Sequence, residues 1–298
     1  FQNKGEFKKI IAEIETFWKL RRLLKREKPD AVLSFMEKYN VFVILATRGL
    51  GLKVFISDRS NPKSAIPKHI DILRKLSYRY ATGIIAQTSL AKEIIKRTTK
   101  NKNITVIPNP VKYVQRYPEI KRENIILNVG RLVPEKGQAY LLEAFKMLNN
   151  PKWRLIILGD GPLKNDLLGK AKQLQIDKQL IMPGAVSNVD EWLARASVFV
   201  LSSVSEGFPN SLLEAMAAGL PCVSFDCDAG PRDIIRNGVN GILVQTKNIQ
   251  ELADKINILI NNPQLRSSMG KEAEKINEKL GISNVANAYI ELFKRMIN

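Results

Sequence analysis

Apolar residues in this 298-residue chain come in short runs, separated by stretches in which they recur at helical spacing. In the first part, Ala31–Phe35, Lys53–Ser57, Gly83–Gln87 and Asn103–Ile107 read as strands. Tyr39–Arg48, Pro67–Tyr80 and Ser89–Thr99 read as the helices between them. Before these, Glu6–Lys28 places Phe7, Ile10, Ile11, Ile14, Phe17, Trp18 and Leu24 at helical spacing among many lysines and arginines. Such a helix can pack its apolar side on a core or lie on a membrane, and the pattern favours the core. A polar, weakly patterned span, Lys112 to Asn124, separates this part from a second one. There Ile125–Val129, Trp153–Leu158, Gln179–Met182, Val198–Leu201, Cys222–Phe225 and Gly241–Val244 read as strands, and Val285–Met296 as a terminal helix. Strand and helix in alternation predict parallel sheets covered on both faces. The expected division is a first domain over 1–117, a second over 118–280, and a terminal helix over 281–298.

Composition adds little to that picture, and charge adds more. A hydrophobic fraction of 45 % and a charged fraction of 26 % suit a globular protein with two cores. No apolar run is long enough to span a membrane, and the opening residues do not form a signal peptide. They read as an internal start. Cys222 and Cys227 fit no zinc spacing and are expected as reduced thiols. The net charge of +18 is uneven: residues 1–117 hold 25 Lys and Arg against 9 Asp and Glu, or +16. The first domain therefore expects an anionic partner, either nucleic acid or a membrane surface.

The chemistry gathers in the second domain. After the strand ending at Leu201 comes Ser202–Pro221, with Glu206 on a loop and Glu214 on a short helix that starts near Asn210 or Ser211. The N-terminus of that helix offers free amides and a positive dipole end to a phosphate. The two carboxylates could then face the reacting part and a distant hydroxyl pair of a phosphorylated ligand. Plainer readings stand beside this one. Ser211 and Glu214 spell a capping box, and Glu206 could be a solvated loop residue. Upstream, Gly130-Arg131 and Lys136-Gly137 supply a close backbone approach and two cations, as a diphosphate requires, or are simply surface basic residues. The single histidine, His69, sits in a helix and is expected to be structural; His-based triads and multi-His metal sites lack material. Asp226 and Asp228 read as a solvated turn before a metal site. There is no phosphate-binding Walker loop and no basic–aromatic stripe for stacking bases.

Taken in order, Gly130-Arg131, Lys136-Gly137, Gly159-Asp160-Gly161, Glu206-Gly207-Phe208-Pro209, Asn210 to Glu214 and Ala218-Gly219-Leu220-Pro221 make the chain resemble the family 4 glycosyltransferases of GT-B fold. The match spans the whole second domain and extends more weakly over 1–117. Ser224-Phe225-Asp226, Gly230-Pro231 and Asp233-Ile234-Ile235 are similar to bacterial members that extend lipid-linked or exported polysaccharides. The resemblance implies two Rossmann-like, doubly wound parallel-sheet domains facing a cleft. It implies a retaining, metal-independent hexosyltransferase that needs no cofactor beyond a nucleotide-sugar donor, expected to be UDP-linked. Arg131 and Lys136 would bind the donor diphosphate and Glu206 the sugar hydroxyls, as the catalytic group. Gly130, Asn210, Ser211 and Leu212 would contact phosphate or sugar, Glu214 the ribose, and Gly184 to Val186 the base. The acceptor would be a glycan or a lipid-linked glycan. The enzyme would work in the cytoplasm, peripheral to the inner face of the cell membrane, with the basic first domain on anionic lipid and no nucleic acid partner.

Two departures from the family pattern bear on the acceptor side. The family's N-terminal glycine-rich loop is not in this sequence, so the first domain is expected to be incomplete, loosened and poor in transfer. Where many relatives carry a His, the chain reads Ser57-Asp58-Arg59-Ser60-Asn61, leaving Asp58 and Arg59 as acceptor-side candidates. The alternatives are an epimerase of the same fold, or a basic membrane- or nucleic-acid-binding module with impaired catalysis.

Overall fold

The computed structural model describes residues 2–64 and 66–297, with side chains described from Ile11 onward. Contacts divide the chain into two compact units: residues up to Pro108 together with those from Ala286 on, and Asn109–Val285. The division precedes the expected boundary at 117/118 because the intervening segment is tied to the second unit. The Val111 amide donates to Leu280 O at 2.7 Å, and the Gln115 amide donates to Asp190 Oδ2 at 3.0 Å.

The first unit runs α1 (Gln2–Glu27), β1 (Ala31–Phe35), α2 (Glu37–Thr47), β2 (Lys53–Ser57), α3 (Lys68–Ser77), β3 (Gly83–Ala86), α4 (Ser89–Thr99) and β4 (Ile104–Val106). Among the described residues the strands form a parallel sheet in the order β1-β2-β3-β4. Its core joins Ile56 and Ile84 of the sheet to Ile44 of α2, Ile95 of α4 and Tyr78. The short apolar runs are strands because β-branched residues line a sheet buried on both faces. Only part of α1 enters the core. Phe17 meets Phe42 edge-on at 5.7 Å, Leu24 is buried, and Arg21 donates to Ala46 O and Arg48 O, whereas Ile11, Ile14 and Trp18 are exposed. The expected core-facing stripe is thus only half used. Its Phe7 and Ile10 lie outside the described side chains.

The second unit runs β5 (Ile125–Val129), α5 (Gln138–Leu148), β6 (Arg154–Leu158), α6 (Lys164–Gln173), β7 (Leu180–Gly184), α7 (Val189–Arg195), β8 (Val198–Leu201), α8 (Asn210–Ala217), β9 (Cys222–Phe225), α9 (Pro231–Ile234) and β10 (Ile242–Val244). Then come α10 (Ile249–Asn261), α11 (Pro263–Glu274), α12 (Ile276–Leu280) and α13 (Ile282–Ile297). The all-parallel sheet has the order β10-β9-β8-β5-β6-β7, with separate apolar cores on its two faces. The order of connections across the sheet reverses between β5 and β8, the switch point at whose carboxyl ends open sheets of this kind form a ligand crevice. From Ala286 on, α13 belongs to the first unit, where Phe293 packs on Phe55 with ring centroids 4.6 Å apart. No helix among the described residues is long and apolar enough to cross a membrane.

Candidate active site

At the carboxyl ends of β5 and β8 the structure brings together two of the sequence-predicted residues, Lys136 and Glu206. Asn128, within β5, donates to Val200 O at 2.8 Å and holds the two strands in register. Past β5 the chain turns through Gly130, Arg131 and a single tight turn, Pro134–Lys136, into α5. The Ser202 hydroxyl at the end of β8 donates to Lys136 O at 2.9 Å, and the Val204 amide donates to Glu135 O at 2.9 Å. Gly137, at φ +62°, packs so closely that a Cβ would lie 2.2 Å from Ser202 O. These contacts bring the two loops together and place Lys136 Nζ 2.6 Å from Glu206 Oε1. Glu206 is only 8 % exposed, so the solvated-loop reading is overturned. A carboxylate this deep needs a partner, and the ammonium supplies it.

Neighbouring loops interlock on the same end of the sheet. The Leu132 amide donates to Asp160 O, the Leu163 amide to Leu132 O, and the Gly159 amide to Gly184 O. A Cβ on Gly159 would lie 2.0 Å from Gly130 O, which is why the approach needs glycine. Gly184 is buried beside Asp160 and Lys164, and Val186 packs half-buried against the adjacent core. Arg131 is exposed, with its carbonyl held by the Gln138 side-chain amide at 3.0 Å. Ser202, Asn128 and Gln138 carry the loop geometry, and the sequence reading did not assign them roles. Their only sequence signal was a polar side chain at the edge of an apolar run.

Helix α8 begins at Asn210, with Pro209 as its N-cap and no side-chain cap. Ser211 and Glu214 therefore do not form the capping box, and Glu214 lies in the second turn instead of the first. The Leu212 amide already donates to Pro209 O at 3.1 Å, which leaves Asn210 and Ser211 as the amides that open the helix. Asn210 Oδ1 accepts from Asn109 Nδ2 at 2.9 Å. Burial pushes the Glu214 carboxyl above its ordinary range, with Lys112 pulling down and Asp190 pushing up. Behind the Glu206 loop, Gly230 sits so close that a Cβ would meet Pro209 Cδ at 2.4 Å.

The acceptor-side candidates lie in the first unit, after β2. Asp58 is buried: Oδ1 accepts from the Tyr78 hydroxyl at 2.5 Å and from Asn40 Nδ2 at 2.9 Å, and Oδ2 faces Arg74 Nη1 at 3.4 Å. Burial pushes its carboxyl up to about 6, and the hydrogen bond from Tyr78 opposes that. Arg59 is half-buried over the Phe35 ring and donates to the Tyr289 hydroxyl at 2.9 Å. His69 is exposed on α3, so it takes no part in the core. Asp226 is held by Arg232 through two bonds of 2.6 Å instead of lying free in a turn. No group of three or more His, Cys, Asp or Glu suited to a metal occurs among the described residues. A cavity of about 670 Å³ lies at the other end of the second sheet, beside Asn124, Ser197 and Pro221, away from this constellation.

Two family models divide the chain between them: glycosyl transferases group 1 over residues 112–276, and glycosyltransferase family 4 over residues 5–113. The chain belongs to the family 4 glycosyltransferases of GT-B fold. It is 30 % identical over 271 residues to an uncharacterised glycosyltransferase of Haemophilus influenzae, covering 90 % of this chain and 77 % of that one. It is 28 % identical over 298 residues to a Campylobacter jejuni alpha-1,4-N-acetyl-D-galactosaminyltransferase acting on an undecaprenol-diphosphate glycan, covering 98 % and 82 %. Among solved structures, Anabaena HepE in complex with UDP superposes with a TM-score of 0.85 at 18 % identity, covering 94 % of this chain and 82 % of that one. The Staphylococcus aureus protein TarM superposes with a TM-score of 0.81 at 23 % identity, and there the chain spans only 57 % of its counterpart.

Proposed function

We propose that this glycosyltransferase moves a sugar from a UDP-sugar to a glycan or lipid-linked acceptor in bacterial polysaccharide synthesis, with retention of configuration. The observation that carries the reading is the Lys136–Glu206 contact across the β5–β8 crevice, beside the N-terminus of α8. In the free protein each group neutralises the other. With donor bound, the ammonium turns to the diphosphate and the carboxylate to the sugar hydroxyls. Arg131 adds a bidentate fork, and the Asn210 and Ser211 amides add the positive end of α8. Negative charge builds on the diphosphate as the bond from the anomeric carbon to oxygen breaks, and these fixed positive groups stabilise it. Their number supports transfer without a metal or another cofactor. Retention requires the acceptor oxygen to approach from the face that the diphosphate leaves, where a phosphate oxygen can take the hydroxyl proton. Glu214 is assigned to the ribose, and Gly184 to Val186 to the base.

The lipid-linked acceptors of such relatives as the Campylobacter enzyme, together with the +16 charge of residues 1–117, favour work at the inner, anionic face of the membrane over any nucleic acid role. Two measurements test the reading. Replacing Arg131 or Lys136 by Ala is expected to weaken UDP by about 1.5–3 kcal/mol in calorimetry. With donor and acceptor supplied under chelation, NMR of the product should show the donor's anomeric configuration. Unchanged UDP affinity in both variants, or an inverted product, would overturn the assignment.

A further inference from the structure

Gln138, the first residue of α5, is a poor choice for the stability of the fold. It is 1 % exposed. Its Nε2 donates to Arg131 O at 3.0 Å, while Oε1 is buried and meets no partner among the described residues. The reverse orientation of the amide would set two oxygens against each other, so the unpaired atom has to be the oxygen. A buried acceptor without a partner destabilises a folded chain, and nearly all such groups are paired. The bond that Gln138 does make adds little in compensation. Arg131 O already accepts from the Val133 amide at 3.0 Å, and Arg131 is exposed, within reach of solvent. Asn128 differs here: its own unpaired oxygen accompanies a bond to Val200 O, which ties β5 to β8 inside the sheet.

What Gln138 does govern is the backbone from which Arg131 projects. On one side of that residue the Leu132 amide donates to Asp160 O at 2.9 Å, and the Gly130 amide donates to Leu158 O at 2.9 Å. Gln138 closes the remaining side by holding the carbonyl. Its Nε2 would lie 3.8 Å from a Cβ on Gly130, and the Lys136 stem 3.7 Å from the same point, so both crowd the turn next to Arg131. The Arg131 guanidinium, by contrast, makes no hydrogen bond or ion pair among the described residues. A backbone pinned on every side that carries an unpaired cation is arranged for an anion that arrives from outside. We propose that Gln138 is the positioning residue for Arg131: it keeps the guanidinium aimed at the donor diphosphate, at the expense of a buried, unpaired oxygen. Groups fixed in place before the ligand arrives need no reorganisation when charge develops on it. The inference rests on the assignment of Arg131 to the diphosphate and deepens it by naming the side chain that aims it.

The test uses the full chain, with UDP as the probe in calorimetry and melting temperature measured alongside. Gln138→Met keeps the length of the side chain and removes both its N–H and its unpaired oxygen; Gln138→Leu repeats the change with a stiffer side chain. Either variant should melt at or above the wild-type temperature, because an unpaired buried acceptor is gone. UDP should nevertheless bind about fivefold more weakly, the equivalent of one lost hydrogen bond. A fall in melting temperature that accompanies the loss of UDP affinity in both variants would make Gln138 a structural residue and overturn the proposal. Wild-type UDP affinity in both would overturn it as well. A double-mutant cycle supplies the readout that a structural role would not move. In a chain that already carries Arg131→Ala, adding Gln138→Met should change UDP affinity by less than about twofold, since the group it aims is absent. An additive loss there would show that Gln138 acts by another route. If Arg131→Ala alone leaves UDP affinity unchanged, the diphosphate assignment fails and this inference with it. If Arg131→Ala weakens UDP while both Gln138 variants bind normally, only the inference about Gln138 falls.

Discussion

Glu206 and Glu214 are carboxylates on one loop and the helix that follows it, yet their surroundings differ. Glu206 is buried against the Lys136 ammonium. If, as proposed, Glu206 holds the reacting sugar, replacing it with Gln should cut kcat steeply with little change in UDP affinity. Equal loss in kcat and UDP binding would remove that division. Glu214 is half-buried, and its carboxyl ionises above the ordinary range. If it holds the ribose as a carboxylate, UDP affinity should fall on acidification earlier than an unperturbed Glu would allow. Glu214→Gln should weaken UDP and flatten that slope, and a 2′-deoxy nucleotide should lose less on the substitution. A pH profile identical in wild type and variant would exclude the ribose role. Asp58 makes a separate case. Its folded value of about 6 exceeds the ordinary 3.9 of an unfolded chain, so the native state binds a proton that the unfolded state has released. Its contribution to stability is therefore fullest near pH 4 and declines as pH rises through about 6. The difference in melting temperature between wild type and Asp58→Asn should change across that window. Parallel melting curves from pH 4 to 7 would mean Asp58 is not buried as described.

At the level of elements, the site depends on how closely the loops after β5, β6 and β8 approach. Gly137 is the sharpest point: its φ of +62° and the carbonyl of Ser202 both exclude a side chain. Gly137→Ala costs about 1–2 kcal/mol for the left-handed backbone alone, and overlap with Ser202 adds to it. The variant should melt earlier and bind UDP more weakly, because Lys136 is displaced from Glu206. Wild-type affinity with a lowered melting temperature would show the two effects to be separable. The helices that cover the second sheet were unevenly legible. Helix α10 has Asn248 as a side-chain cap to the Glu251 amide and a regular apolar stripe, Leu252, Ile256 and Leu259. Both signals stand in the sequence, but α10 to α12 form no part of the strand–helix alternation that led the reading. In helix α3, helical spacing revealed the helix and could not say which way it faced: Ile72, Leu73 and Leu76 are exposed while Arg74 and Ser77 are buried.

For the molecule as a whole, α13 changes what counts as a domain. Its later residues belong to the first unit, where Tyr289 accepts from Arg59 and Phe293 covers Phe55. Truncation after Val285 should lower the stability of the first unit and leave UDP binding by the second unit nearly intact. Co-operative loss of both in one thermal transition would contradict that separation. Sequence alone settled the strand–helix alternation, the two parallel sheets and the family motifs, because these depend on local patterning and on residues close together along the chain. It also named both members of the Lys136–Glu206 pair, which the resemblance assigned to diphosphate and sugar. That the two groups touch and that Glu206 is buried were decided only by the fold. Strand order sets those facts: β5 and β8 are neighbours in the sheet and far apart in the chain. The same holds for Asp58, whose partners Asn40, Arg74 and Tyr78 come from elements that only tertiary packing brings to one buried point.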